Sequence, residues 1–218
     1  MPKKSGLDLI INMSLDFTAI ILSGGKSIRI GEDKAFLRIN KLTIVERIYF
    51  LLQNIFPEVL IISSEINNYK FLTNKIFNDI YVGFGPLSGI HSGLFHSETE
   101  NNFIISCDMP FVNHDAINFI ISQNSNHDII IPKSKNKFHS LCGIYKKTCL
   151  ANSENLLKSA SSKINTQNGK TKVKLFDLIN SVNTNFLEIS NEKFFNDDLF
   201  FNMNSIEDYE YVKSKLKK

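Results

Sequence analysis

The chain has 218 residues, with 25 basic residues (lysine and arginine) against 22 acidic ones, which gives a net charge of +3. That charge is too small to indicate a nucleic-acid-binding protein, and the length suits one α/β domain with a well-buried core. The three cysteines are odd in number and lack CxxC spacing, so they indicate a reducing cytosol rather than disulfides or a zinc site.

Residues 1–15 precede the first predicted strand and are expected to form a disordered extension to a single domain at residues 16–218. Lys3-Lys4 followed by the apolar run Leu7–Met13 faintly suggests a signal peptide. Two polar residues interrupt that run, however, and no small-residue cleavage site follows it. No stretch is long and apolar enough to span a bilayer, so a cytoplasmic protein is predicted.

The first predicted strand, Phe17–Leu22, leads into a glycine-rich loop that carries three cations. The apolar run breaks at Ser23-Gly24-Gly25, and Lys26, Arg29 and Lys34 follow within one short segment. Adjacent glycines let backbone N–H groups approach an anion, and nearby cations suit a polyphosphate. The spacing is neither GxxxxGK[ST] nor GxGxxG, and the alternative interpretation is an ordinary turn with solvated lysines. The sequence predicts a loop that binds a nucleoside triphosphate.

Beyond that loop, strand and helix patterns alternate, which is typical of a parallel α/β sheet. The predicted strands are Val59–Ile62, Ile76–Ile80, Phe103–Ser106, Ile129–Ile131 (ended by Pro132) and Phe138–Tyr145, which follows a lysine-rich turn at Lys133–Lys137. The predicted helices begin at the capping box Thr43–Glu46, at Gly89 (to Ser97), at Asn113, at Thr148 (to Ser159) and at the cap Ser205. A polar, mobile stretch is expected at Ser161–Lys172.

Two aspartates stand out from this alternation. Asp79 precedes a turn rich in glycine and proline that ends at Gly89, which by itself indicates a tight connection into a helix. Asp108 follows a buried strand, where open α/β sheets bind ligands. A carboxylate in that place suits a Mg²⁺ ion, which takes one or two carboxylates together with phosphate oxygens. The alternative is that Asp108 caps the next helix, but Asn113 is better placed for that.

At these positions the chain resembles the molybdenum cofactor guanylyltransferases, a family of nucleotidyltransferases. Residues 22–37, LSGGKSIRIGEDKAFL, are similar to the family signature LAGGxSxRMGxDKALL, with Ser23 and Ile30 as mild departures. The segments that contain Asp79 and Asp108 resemble the D…GPLxGI and CDMPF motifs. Residues 138–145 resemble HPLxAxY, with Ser140 in place of proline. Residues 200–208 resemble the strand-and-turn FxNxNTPED, which predicts a strand and turn at Phe200–Ser205 with Asn202 and Asn204 on one side of the strand.

The resemblance implies a single three-layer αβα domain around a mostly parallel, mixed sheet of Rossmann-like type. It also implies GTP and molybdenum-molybdopterin as substrates, with Mg²⁺ as cofactor on Asp108. The nucleotide-binding residues that it implies are Leu22, Ser23, Gly24, Gly25, Lys34, Asp79 and Asp108, with Arg29, Lys34 and Asp108 as catalytic residues. In the second half, His139, Asn202 and Asn204 are implied to bind the pterin, although a lone histidine is equally often a satisfied core or edge residue.

Two alternatives stay open from the sequence. The nearer one is a sibling enzyme, either a cytidylyltransferase for the same cofactor or a sugar-phosphate nucleotidyltransferase. The other is a non-catalytic adaptor that binds nucleotide and hands the cofactor to apo-enzymes. For the guanylyltransferase, the expected partners are molybdoenzymes, their chaperones and other cofactor-biosynthesis proteins. Neither nucleic acid nor a membrane is expected as a partner, and a monomer is predicted.

Overall fold

The apolar run Phe17–Leu22 forms an interior strand of the sheet. β1 (Phe17–Leu22) is buried along its whole length and lies between two parallel neighbours, β4 (Glu58–Ile62) and β6 (Asn101–Ser106). A nearly continuous apolar sequence suits a strand that is covered on both faces. The residues that follow β1 therefore emerge at the middle of the sheet, at its carboxyl edge.

The computed structural model describes residues 14–24, 34–166 and 173–216. Part of the predicted phosphate loop, including Gly25, Lys26 and Arg29, lies outside the described residues. The same is true of residues 1–13 in the predicted extension and of residues 167–172 in the predicted polar stretch.

Within the described ranges, eight strands form one sheet in the order β10-β7-β9-β6-β1-β4-β5, with β8 paired to β7. The strands not yet located are β5 (Ile76–Phe77), β7 (Ile129–Ser134), β8 (Lys137–Phe138), β9 (Cys142–Lys146) and β10 (Thr184–Glu188). β9 is antiparallel to both β6 and β7, whereas β5, β4, β1 and β6 run parallel and β10 is parallel to β7. A separate hairpin, β2 (Arg38–Ile39) and β3 (Leu42–Thr43), precedes the first helix. The predicted mixed, mostly parallel sheet is confirmed.

Helices cover both faces of this sheet. On one face pack α1 (Ile44–Gln53), α3 (His114–Ser122) and α6 (Ile206–Leu216), and on the other α2 (Pro86–His96), α4 (Cys149–Thr166) and α5 (Leu175–Ser181). Alternate side chains of β1 enter the two cores, Ile21 the first and Ile20 the second, as the period of a strand requires. The predicted three-layer αβα arrangement is confirmed. Among the described residues, no helix combines the length and apolar character needed to cross a membrane.

Three helices begin at the predicted caps. Thr43 and Glu46 form the capping box of α1, because each backbone N–H donates to the other residue's side chain. The side chain of Asn113 accepts a hydrogen bond from the backbone N–H three residues on, at 3.0 Å. Ser205 caps α6 in the same way, and its own N–H donates to the Asp208 carboxylate at 2.9 Å. Short polar side chains at helix starts were therefore reliable signals.

The predicted bounds around Asp79 were wrong. α2 begins at Pro86, three residues before the predicted start at Gly89, because proline is well suited to the first turn of a helix. Gly85, with a φ of +63°, forms the N-cap. β5 is only two residues long and does not reach Ile80, whose N–H donates to the Ser92 hydroxyl at 2.8 Å instead of to a strand.

The prediction that Pro132 ends β7 was also wrong. Pro132 lies where β7 leaves β9 and meets β8, and its carbonyl accepts the His139 N–H at 2.9 Å. No strand partner therefore needs the N–H that proline lacks. The lysine-rich turn is only two residues long, Lys135 and Asn136, with φ values of 46° and 65°. The single strand predicted at Phe138–Tyr145 is two strands, β8 and β9, with a three-residue break between them.

The C-terminal third differs most from the sequence prediction. α4 continues to Thr166 rather than ending at Ser159, so the predicted polar stretch begins inside a helix. α5 and β10 were not predicted, because both are short and β10 is a largely exposed edge strand without clear alternation. The segment Phe200–Ser205 was predicted as a strand and turn, and it is irregular up to the cap of α6.

Candidate active site

The carboxyl ends of β1 and β6 form the centre of the candidate site. β1 is the point where the chain order reverses, since β4 and β5 lie on one side and β6 on the other. Ser23 N–H donates to the Ile62 carbonyl at 2.9 Å, and Cys107 N–H donates to the Leu22 carbonyl at 3.0 Å. These bonds extend the sheet pairing one residue past each strand. The crevice at such a reversal is where open α/β sheets bind ligands.

Lys34, Asp108 and Asn204 meet at this edge from three distant parts of the chain. The Lys34 ammonium donates to Asp108 Oδ2 at 2.7 Å and to Asn204 Oδ1 at 3.1 Å. The side chains of Lys34 and Asp108 are only 15% and 13% exposed. Lys34 comes from a 3-10 helix (Lys34–Phe36), Asp108 follows β6, and Asn204 precedes α6. The backbone N–H of Met203 also donates to the Asp108 carbonyl, at 2.9 Å.

The second carboxylate oxygen of Asp108 has no hydrogen-bond partner in the part of the chain that the structure describes. Asp108 Oδ1 is buried and accepts no hydrogen bond from the residues that the structure describes. Such an atom costs free energy unless a cation or a donor reaches it. The described residues contain no group of three or more His, Cys, Asp or Glu side chains that would hold a metal alone. One carboxylate with a vacant oxygen instead fits Mg²⁺, which completes its shell with substrate phosphates and water.

Asp79 is a second acid with an unsatisfied oxygen, and it lies beside Leu22. Asp79 Oδ1 is buried without a partner among the described residues, and burial raises the pKa of this carboxyl group above its usual value. A Cβ added at Gly89 would lie 3.1 Å from the Leu22 side chain and 3.7 Å from Asp79 Oδ1. The start of α2, the end of β1 and Asp79 therefore pack closely into one wall, with an acceptor available for a ligand N–H group.

Ser23 and Gly24 contribute to the site in different ways. The Ser23 hydroxyl hydrogen-bonds the Tyr69 hydroxyl at 2.7 Å inside the protein, so this side chain is already engaged. The Tyr69 ring in turn packs against Phe36, with ring centroids 5.0 Å apart. Among the residues that the structure describes, none has an atom within 4 Å of a Cβ built on Gly24. Tyr69 was missed by the sequence analysis because no motif or periodicity marks it.

The predicted pterin residue His139 lines a separate cavity of about 660 Å³. Its Nε2 hydrogen-bonds the Ser134 hydroxyl at 2.7 Å, and its ring stacks on Phe200 with centroids 4.1 Å apart. Burial, helped by the positive charge of Lys137, lowers the pKa of His139 to about 4, so the ring is neutral near pH 7. His139 is thus both a satisfied side chain and a wall of the cavity.

The two predicted pterin asparagines flank Met203 in the sequence, and the Asn204 side-chain amide donates to the Asn202 carbonyl at 3.3 Å. Asn202 lines the cavity with His139, whereas Asn204 contacts Lys34 beside Asp108. The structure therefore brings Lys34, Asp108 and Asn204 into one group, and Asn202 and His139 into another. One irregular segment, Phe200–Asn204, connects the two groups.

Comparison with known proteins gives a consistent family assignment. Residues 19–170 match the family described as the MobA-like NTP transferase domain. A protein of Clostridium perfringens named probable molybdenum cofactor guanylyltransferase is 38% identical over 197 residues, which are 88% of this chain and 94% of that protein.

Solved structures share the fold at low sequence identity. Molybdopterin-guanine dinucleotide biosynthesis protein A from Archaeoglobus fulgidus superposes with a TM-score of 0.72 at 19% identity, over 91% of this chain and 97% of that one. The 4-diphosphocytidyl-2C-methyl-D-erythritol synthase of Anaerococcus prevotii has a TM-score of 0.67 at 12% identity, with 96% and 99% coverage. Because both identities are low, these two structures support the fold alone.

Proposed function

Because the chain belongs to the MobA-like NTP transferase family, we propose that it transfers GMP from GTP to molybdenum-molybdopterin. A phosphate oxygen of molybdopterin attacks the α-phosphorus of GTP, and the bond from that phosphorus to the β-phosphate oxygen breaks. The products are the guanine dinucleotide form of the cofactor and pyrophosphate. The observation that carries the proposal is the Lys34–Asp108 pair, nearly buried at the carboxyl edge of β1 and β6, with one Asp108 oxygen unpaired.

Lys34 supplies positive charge where the triphosphate would lie. Its ammonium is held within hydrogen-bond distance of Asp108 and Asn204, so the cation is positioned before the substrate arrives. A preorganised charge of this kind stabilises negative charge that develops in the transition state. Backbone N–H groups at Gly24 and Gly25, together with Arg29, are proposed to hold the β- and γ-phosphates.

Asp108 is proposed to hold Mg²⁺ through its unpaired oxygen. When bound, the ion supplies positive charge to phosphate oxygens whose negative charge increases during the reaction. The acceptor phosphate is already ionised near neutral pH, because its second pKa is about 6. Asp108 and Lys34 therefore have no proton to remove, and their role is to orient the phosphates and balance their charge.

Asp79 is proposed to bind the nucleotide from the wall formed by Leu22 and α2. Its unpaired oxygen is an acceptor in a half-buried place, where a hydrogen bond to a charged group is worth roughly 1.5–3 kcal/mol. Guanine presents adjacent N–H donors on one edge, which a single carboxylate can accept. Ser23 and Leu22 are proposed to shape this wall rather than to bond the nucleotide directly, because the Ser23 hydroxyl is bonded to Tyr69, the Ser23 N–H to Ile62 and the Leu22 carbonyl to Cys107.

The test is turnover of the purified protein with GTP, CTP, ATP and UTP in turn, with molybdenum-molybdopterin as acceptor. We expect the guanine dinucleotide and pyrophosphate to form from GTP at a rate at least tenfold above the other three. Preferred use of CTP would reassign the protein to the cytidylyl branch. Nucleotide binding without pyrophosphate release, measured on the same preparation, would support the adaptor instead.

Four sequence predictions remain part of this proposal. The enzyme is proposed to be cytoplasmic and monomeric, and to pass its product to molybdoenzymes or their chaperones. The division of labour is also proposed, with the first half of the chain binding GTP and Mg²⁺ and the second half binding the pterin through His139, Asn202 and Asn204.

A further inference from the structure

The cavity beside His139 carries positive charge that the proposed reaction does not use. Lys135 and Lys137, from the β7–β8 hairpin, both line it. Among the described residues, the carboxylate that lines the cavity is that of Asp197. Lys135 forms an ion pair with Asp197. No ion pair joins Lys137 to any described side chain, so the charge of Lys137 is not neutralised locally.

The remaining walls of the cavity add no compensating charge. They consist mainly of Phe138, Phe195, Phe200 and Phe201, with the Asn202 amide at one side. His139 stacks on Phe200, and its low pKa keeps it neutral near pH 7. Aromatic walls of this kind suit a planar ring system. A lysine at the rim suits an anion carried on that ring system.

The cavity lies close enough to the reaction centre for one substrate to reach both. Asn202, in the cavity, is two residues from Asn204, so their Cα atoms are at most about 7.6 Å apart. β7 lies two strands from β6 in the sheet, which corresponds to about 10 Å between the hairpin and the strand that ends before Asp108.

Resting on the proposed function, we propose that Lys137, assisted by Lys135, binds the anionic oxomolybdenum-dithiolene group of the substrate. Molybdopterin carries two anionic groups on its pyran ring, the phosphate and the metal-bearing dithiolene. The phosphate is committed to the α-phosphorus of GTP near Lys34 and Asp108. The lysines of the hairpin then face the second anionic group, and the cavity prefers the metal-loaded form over the metal-free dithiol, which carries less negative charge.

The test is equilibrium binding of molybdenum-loaded and metal-free molybdopterin to the full-length protein, without nucleotide. In the variant with both Lys135→Gln and Lys137→Gln we expect the Kd of the loaded form to rise roughly tenfold, and that of the metal-free form by less than about threefold. Lys193→Gln is the matched control, since Lys193 is exposed on the loop before Asp197 and does not line the cavity. Its two Kd values should stay at those of wild type.

Asp197→Asn provides a test of opposite sign. Removing this carboxylate releases Lys135 from its ion pair, so the loaded form should bind roughly two- to threefold more tightly. A variant that was merely misfolded would not bind better. Equal affinity of wild type and the double lysine variant for the loaded form would overturn the inference, as would equal loss for both forms. Binding is measured without GTP, so its result does not depend on guanylyl transfer. A failure of the proposed function would instead appear in the turnover experiment.

Discussion

Around Asp108 and Asp79, carboxylate oxygens are buried with no donor among the described residues, whereas around His139 the buried ring nitrogen and the aromatic faces are already paired within the protein. Asp108 and Asp79 each keep one unsatisfied oxygen among the described residues. His139 is bonded to Ser134 and stacked on Phe200. The first region thus carries acceptors that no described residue satisfies and that a ligand can use, and the second is a preformed pocket.

This difference predicts which substitutions should reduce the reaction rate and which should weaken only the binding of a substrate. Neutralising an unsatisfied charged group should reduce the reaction rate most, because that group binds the metal ion or the phosphates that take part in the reaction. Satisfied walls set shape and affinity and leave the chemical step largely unchanged. Substitutions at the first region should therefore reduce turnover, and substitutions at the second should raise KM for one substrate.

Asp108→Asn should have the largest effect. The amide keeps the size of the side chain but removes the charge proposed to hold Mg²⁺, so turnover should fall at least roughly 10²–10³-fold. The melting temperature should change little, because the residue makes one ion pair rather than a packing contact. Steady-state rates across a Mg²⁺ titration would check this, with the exposed Asp115→Asn as control. Wild-type turnover at limiting Mg²⁺ would place the metal elsewhere.

Lys34→Gln should follow, with a loss of roughly 10² in turnover. Glutamine can still donate to Asp108 and Asn204, so folding should be retained while the positive charge is lost. Rates with GTP and the Kd of GTP would be measured together, and Lys41→Gln, at the exposed turn between β2 and β3, is the control. A change in Kd alone, with the rate intact, would contradict a role in charge stabilisation.

Asp79→Asn should weaken GTP binding while stabilising the protein without ligand. Loss of the acceptor charge should raise the Kd of GTP roughly tenfold. Burial raises the pKa of Asp79, so the native protein binds its proton more tightly than the unfolded chain does. Its ionised form therefore destabilises the fold above the raised pKa, and this cost disappears as the pH falls toward the ordinary value of 3.8.

Melting curves of wild type and Asp79→Asn as a function of pH would check that sign. The variant should melt a few degrees higher at pH 7, and the gap should close as the pH approaches 4. A variant that melts lower than wild type at pH 7 would mean that the carboxylate has a partner in the free protein.

Asn202→Ala should have the smallest effect and would sharpen the contrast between the regions. Asn202 lines the cavity and is not among the residues bonded to Lys34, so KM for molybdopterin should rise about three- to fivefold with KM for GTP unchanged. Asn204→Ala is the paired variant. Since Asn204 contacts Lys34, it should change turnover as well. Identical profiles for the two variants would show that the boundary at Met203 has no functional meaning.

Local signals in the sequence predicted much of the first region. The apolar run of β1, the caps at Thr43 and Asn113, and Asp108 after β6 could all be located because each depends on neighbours close in the chain. The hydrogen bond from Lys34 to Asn204 could not be predicted in this way. That contact joins residues 170 positions apart, and only the sheet order brings them together.

The second region was harder for a related reason. Its walls come from a hairpin with a two-residue turn, from an irregular segment and from loop residues. None of these has a periodic sequence pattern. Lys135 and Asn136 adopt left-handed backbone angles without glycine, which lysine in particular rarely does. The break between β8 and β9 likewise follows from the pairing of both strands with β7, and local sequence preferences do not predict such pairing.

The contacts that Met203 makes with Asp108 and Asn204 makes with Lys34 have a consequence for shortened chains. The stretch that matches the family, residues 19–170, ends well before Met203 and Asn204. A gene product that stopped before residue 200 would still carry every nucleotide motif and would still be recognised as a relative. It would nevertheless lack the backbone donor to Asp108 and the amide that steadies Lys34. Such a fragment should be a pseudoenzyme, recognisable by its motifs and inactive because residues 200–218 are missing.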